Sequence, residues 1–125
     1  MSENCGCGDT QKVQLIYACS GAANTGFLAD NAARKLARDG VGKMQCLAAI
    51  GAGLTGYLEA AKSSDRNIVL DGCPVACAKK IFEKERLKFD YFVMTDLGVE
   101  KGKTEITPEI IAQTAGKVFS QIQAG

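Results

Sequence analysis

The chain has 125 residues, 46% of them hydrophobic and 23% charged, enough for one domain that buries about two-thirds of its unfolded surface without disulfide staples. Its 15 basic and 14 acidic side chains leave a formal charge of +1, which argues against the basic field of a nucleic-acid binder and against an acidic tail. No run approaches the roughly 18 apolar residues of a membrane span, and Met1-Ser2-Glu3-Asn4-Cys5 has neither a basic region nor an apolar segment, so the expectation is a cytoplasmic protein.

Residues 1–11 read as a loose polar leader carrying Cys5-Gly6-Cys7, ahead of a single α/β domain over 12–125. Val13 to Ala18 is the first predicted strand. A helix follows from Asn24 or Thr25, both suited to cap it, to about Asp39, with Phe27, Leu28, Ala32, Leu36 and Ala37 as its apolar stripe. Val41 to Cys46 is a weak second strand, and a short helix spans Leu54 to Ser63. Ile68-Val69-Leu70 forms the third strand. Pro74 suits a first helical turn, which predicts a helix over Val75 to Lys88 with Cys73 and Cys77 on one face of its start. Tyr91 to Met94 is the fourth strand, and Thr107-Pro108-Glu109 opens a last helix packed through Ile110, Ile111, Thr114, Val118 and Ile122. Four strand–helix alternations predict a three-layer, Rossmann-like or flavodoxin-like domain: a parallel sheet in the order 2-1-3-4 with helices on both faces.

Cysteine carries the functional information. Cys19, Cys46 and Cys73 each stand where a short apolar run ends, and Cys77 lies one helical turn beyond Cys73. The carboxyl ends of parallel strands open onto one edge, so these thiols converge beside the switch point between strands one and three. Four thiolates there suit a metal, because zinc takes sulfur tetrahedrally, closed by four cysteines or open with three and a water. Histidine is absent, which removes cysteine–histidine pairs, serine triads and mixed cysteine–histidine zinc sites. In a reducing compartment six cysteines point to ligands or redox thiols rather than disulfides. The plain alternative is that a single cysteine in an apolar segment is buried filler, and it weighs most on Cys46. Asp71 and Asp96, at strand ends, are candidates to support or replace a ligand. Ser20, Gly21 and Gly72 line the crevice in tight turns. Cys5 and Cys7 are auxiliary thiols that could pass a metal or electrons inward.

Tyr17-Ala18-Cys19-Ser20-Gly21, Cys46-Leu47-Ala48-Ala49-Ile50-Gly51, Asp71-Gly72-Cys73-Pro74-Val75-Ala76-Cys77-Ala78-Lys79-Lys80 and Thr95-Asp96-Leu97-Gly98 together resemble the DGC-domain family, described as zinc-binding. The resemblance implies four metal-ligand cysteines, falling on Cys19, Cys46, Cys73 and Cys77. It implies zinc, with iron or an iron-sulfur cluster on the same thiolates as the alternative, and it implies no established reaction. The expected role is metal or sulfur handling, with a metal ion and a small-molecule ligand as partners and neither nucleic acid nor membrane.

Three other chemistries compete. A thiol–disulfide enzyme would use Cys73 as attacking thiol and Cys77, Cys19 or Cys46 to resolve it, although CxxxC is wider than the thioredoxin-like motif. Cys19-Ser20-Gly21-Ala22-Ala23-Asn24-Thr25 resembles the oxyanion loop of low-molecular-weight phosphatases and arsenate reductases, with Thr25 in the place of their arginine. Gly51-Ala52-Gly53-Leu54-Thr55-Gly56 reads literally as GxGxxG, with Asp71 20 residues after its first glycine, as a dinucleotide site would require.

Overall fold

The structure, a computed structural model, describes residues 12–124; the leader and its Cys5 and Cys7 lie outside them. Four strands, β1 (Gln14–Ala18), β2 (Lys43–Met44), β3 (Arg66–Asp71) and β4 (Asp90–Val93), form one all-parallel sheet in the order β2-β1-β3-β4. This is the anticipated α/β topology. Five helices accompany them: α1 (Asn24–Arg38), α2 (Leu47–Gly51), α3 (Thr55–Ser63), α4 (Cys77–Lys84) and α5 (Pro108–Ala124). A short 3-10 helix, Met94–Leu97, follows β4.

Strand alternation sorts the core into two layers. Ile16, Ala18, Ile68 and Leu70 face α1 and α5, where they meet Leu28, Ala32, Leu36, Val118 and Ile122. Leu15, Tyr17 and Val69 face the other way, onto Ile50 of α2, Ala61 of α3 and Ala78 and Phe82 of α4. Both faces of the inner strands are therefore apolar, as a doubly covered parallel sheet demands. Helices fall on both faces because the chain steps from β1 to β2 in one direction and then crosses back to β3 on the other side of β1. Cys19 N–H donates to Leu70 O at 3.0 Å, so the ends of β1 and β3 lie side by side at the switch point. No helix among the described residues is long and apolar enough to cross a membrane.

Several local expectations are corrected. β2 shrinks from the expected residues 41–46 to Lys43–Met44, because in that stretch only Val41 and Met44 supply much apolar bulk for an edge strand, and the alanine-bearing Leu47–Gly51 that follows is helical. α4 begins at Cys77 rather than Val75, after Ala76 adopts a left-handed conformation with φ 60°, and it ends at Lys84 rather than Lys88. Phe27 is exposed rather than part of the packed stripe. Ala23, not Asn24 or Thr25, is the residue before α1, and no side chain caps that helix.

The glycines flanking the crevice act mainly by closeness rather than by turning. A Cβ at Gly72 would lie 2.6 Å from Gly26 N and from the Thr25 carbonyl carbon, and one at Gly26 would lie 2.6 Å from Gly21 N. The loops after β1 and β3 are thus pressed backbone to backbone on the first turn of α1. Ser20, with φ 50°, takes the left-handed position in the β1 loop. Gly72→Ala should accordingly lower stability by about 1–3 kcal/mol, as overpacking does, measured by urea unfolding; Gly56→Ala, where an added methyl meets no atom within 4 Å, serves as the control.

Candidate functional site

The segment Asp71–Cys77 is organised by its first residue. Asp71 is 1% exposed; its Oδ1 accepts the N–H of Ala78 and its Oδ2 the N–H of Lys79, both at 2.9 Å. The carboxylate thus satisfies two free donors at the start of α4 and sits at the positive end of the helix, across a turn of five residues. Tyr91 O–H donates to Oδ2 at 2.9 Å. Edge-to-face contacts hold Tyr91 in turn: Tyr17 to Phe82 (4.8 Å between centroids), Phe82 to Phe89 (5.6 Å) and Phe89 to Tyr91 (6.2 Å). Lys79 Nζ lies 5.3 Å above the Tyr91 ring. Asp71 is a helix-capping clamp, and both its oxygens are engaged.

Cys19 stands at the end of β1, half-buried, and its Sγ accepts the Gly72 N–H at 3.3 Å. Burial pushes its thiol up from the ordinary value, against the lowering effect of N–H donors at Gly21 and Gly72, and the charges of Asp71 and Cys77 push the same way as burial. Cys73, half-buried, accepts a contact from Lys101 Nζ at 3.4 Å. Cys46 is exposed just before α2; it shares with Cys19 a groove of about 570 Å³ also lined by Ser20, Asp30, Arg34 and Met44. Ser20 Oγ donates to Asp30 Oδ1 at 2.8 Å, and Arg34 Nε donates to Asp30 Oδ2 at 2.8 Å. Burial raises the Asp30 carboxyl, but these two partners outweigh it and hold it below the usual value. Asp96 is exposed on the 3-10 helix.

The four thiols are free and lie on or beside the carboxyl edge of the sheet. Among the described residues, however, no three side chains of Cys, His, Asp or Glu are gathered closely enough to hold one ion. The set fits a thiophilic ion in donor chemistry, being sulfur without histidine, and it is not a ready-made coordination shell. Two competing readings lose their geometry. The GxGxxG run links two helices, since Gly51 ends α2, Gly53 turns with φ 74° and α3 starts at Thr55; a dinucleotide loop follows a strand, and Asp71 is sealed from any ribose. Thr25, in the place of the phosphatase arginine, is fully buried and cannot reach a bound anion.

Sequence reasoning missed Asn24 and Lys101. Asn24 Nδ2 donates to Glu100 O (3.1 Å) and Thr104 O (2.7 Å), and its Oδ1 accepts the Gly102 N–H (2.7 Å). It pins the loop that delivers Lys101 to Cys73. Nothing in the spacing of residues 24, 73 and 101 announces this meeting.

A doubly wound parallel domain with free thiols at its switch point is the class that fold and site define. The DGC domain model matches residues 15–118, and the chain belongs to the DGC-domain family. It is also similar to the anaerobic and virulence modulator AnvM of Pseudomonas aeruginosa, with 30% identity over 110 residues, covering 87% of this chain and 82% of that protein. No solved structure matches.

Two outcomes follow from these contacts. Alkylation of the reduced native protein at neutral pH, followed by peptide mass spectrometry, should modify exposed Cys46 and Cys77 before Cys19, whose thiol is both covered and raised. Tyr91 is also raised above its ordinary value of 10.0, by burial and then by its hydrogen bond to Asp71. Its stabilising contribution is whole below pH 10 and is lost as pH climbs toward the folded value. Tyr91→Phe should cost about 1–2 kcal/mol at neutral pH, and its stability should fall less steeply than that of the wild type above pH 10, as read from denaturant midpoints.

Proposed function

We propose that this DGC-domain protein binds a thiophilic metal ion, zinc foremost, through Cys19, Cys73 and Cys77 at the carboxyl edge of its sheet, with Cys46 as a fourth sulfur, in the service of metal or sulfur handling. The observation that carries the reading is that Cys19 Sγ accepts the N–H of Gly72, the residue preceding Cys73. The positions of Cys19 after a strand end, Cys73 in a turn and Cys77 at a helix start support it. Among the described residues no three such donors stand close enough to hold one ion, so binding would draw the sulfurs together.

Backbone N–H groups directed at a thiolate suit a metal-bound sulfur, because they offset its charge without competing for the ion. Asp71, engaged by three donors, acts here by fixing the turn and not by ligation. Bound zinc would supply charge neutralisation for the clustered thiolates.

A second reading, thiol–disulfide exchange, is favoured by the absence of any preformed group of three donors among the described residues, since exchange needs sulfurs only in pairs. Titrating zinc into reduced, chelator-treated protein separates the two. One ion per chain is expected, with Cys19→Ser and Cys73→Ser each weakening binding by about ten-fold or more while the circular dichroism of the fold is retained. No binding, together with ready formation of an intramolecular disulfide, would favour the exchange reading.

A further inference from the structure

The amino edge of the sheet, opposite the thiols, carries a cleft of about 460 Å³ where β3 and β4 begin, between the turn after α3 and the turn after α4. Four cations line it, Lys62, Arg66, Arg86 and Lys88, against two carboxylates, Asp65 and Asp90. Both carboxylates are already engaged: Asp90 Oδ2 accepts the Arg66 Nε–H, and Asp65 Oδ2 accepts the Val13 N–H at 2.6 Å. Among the described residues no carboxylate pairs with Arg86 or Lys88, and Lys62 makes only an exposed contact with Glu59 at 3.7 Å. The walls are fastened together by Asn67, 5% exposed, whose Nδ2 donates to Ala61 O in α3 (2.9 Å) and to Lys88 O after α4 (3.0 Å). Arg86 follows the end of α4 in the left-handed region, φ 58°, with its N–H donating to Glu83 O at 3.1 Å and the Leu87 N–H donating to Phe82 O at 3.0 Å. Glycine would hold that position without strain, and backbone strain of this kind gathers at binding sites.

We propose that this cleft binds a small organic anion of the phosphate-monoester class, its charged head held by Arg86 and Lys88 and its apolar body by Ala61, Leu87 and Phe89. A phosphate monoester is largely dianionic at neutral pH, and its oxygens accept hydrogen bonds from a guanidinium fork and an ammonium together. Its charge offsets the cations that the walls gather without carboxylate partners. The excess is local, because the chain as a whole carries +1, which favours a small anion over a long polyanion. The volume suits a ligand of modest size. Ala61 and Leu87 are buried and Phe89 half-buried in the same cleft, which favours an ester over inorganic phosphate. No sulfur takes part, so the site stands or falls independently of the proposed ion site.

Phenyl phosphate titrated into the isotope-labelled full chain, with backbone amide shifts read by NMR, tests this beside inorganic phosphate and phenol as the head and the body alone. Saturable shifts are expected at the amides of residues 64–67 and 86–90, with phenyl phosphate bound more tightly than either control. Arg86→Gly and Lys88→Gln should each weaken that binding by about five-fold, the upper range for exposed charge contacts. Arg86→Gly relieves the left-handed strain, so its urea midpoint should match or exceed that of the wild type, which separates loss of the ligand contact from loss of the fold. The affinity should also fall as salt is raised. No shift at millimolar phenyl phosphate, or shifts spread over basic residues of the whole surface, would overturn the proposal. Wild-type affinity in Arg86→Gly and Lys88→Gln, or equal binding of phenyl phosphate and inorganic phosphate, would overturn it as well.

Discussion

The carboxylate of Asp71 is the contact on which the carboxyl edge depends. It is the last residue of β3, so the sheet fixes its backbone, and the parity of the strand directs its side chain to the α4 side. There it accepts two N–H groups from the first turn of α4 and the hydroxyl of Tyr91. A buried carboxylate without donors would cost several kcal/mol; three donors make this one a clamp. The distance between β3 and α4 is thereby set, and residues 72–76 must make their turn within it. The left-handed Ala76 is the local expression of that constraint, since the chain has to reverse before Cys77 can enter the helix.

A second constraint comes from the other side. Gly72 and Gly26 admit no side chain, and the turns after β1 and β3 rest on α1 without one. Cys19 is consequently held with its sulfur on the Gly72 N–H, whereas Cys73 and Cys77 project from a turn anchored at both ends. The aromatic series from Tyr17 to Tyr91 ties the Asp71 clamp to the core.

Much of this was legible in the sequence because it is local and periodic. The continuous apolar runs of β1 and β3, the spacing of α1 and α5, and the strand–helix rhythm point to the topology and the order 2-1-3-4. What escaped depends on contacts between distant residues. Pro74 suggested an early start for α4, but the cap lies at Asp71, and only the fold brings that carboxylate to Ala78 and Lys79. Asn24 looks like a helix cap and instead binds a loop some 80 residues away. The glycines of Gly51-Ala52-Gly53-Leu54-Thr55-Gly56 imitate a nucleotide loop because turn chemistry between two helices resembles that between a strand and a helix. The positions of Cys19, Cys73 and Cys77 follow from strand ends, yet their mutual distances do not, since spacing says nothing of side-chain rotation.

DGC-domain membership and the free thiols at the carboxyl edge of the sheet are the observations behind the proposed ion site. The account's central claim is that sulfurs from separate segments serve one ion. X-ray absorption at the zinc edge of the reduced, zinc-loaded chain tests it most directly. The account predicts a first shell dominated by at least three sulfurs at about 2.3 Å. A shell of oxygen and nitrogen at about 2.0 Å would contradict it.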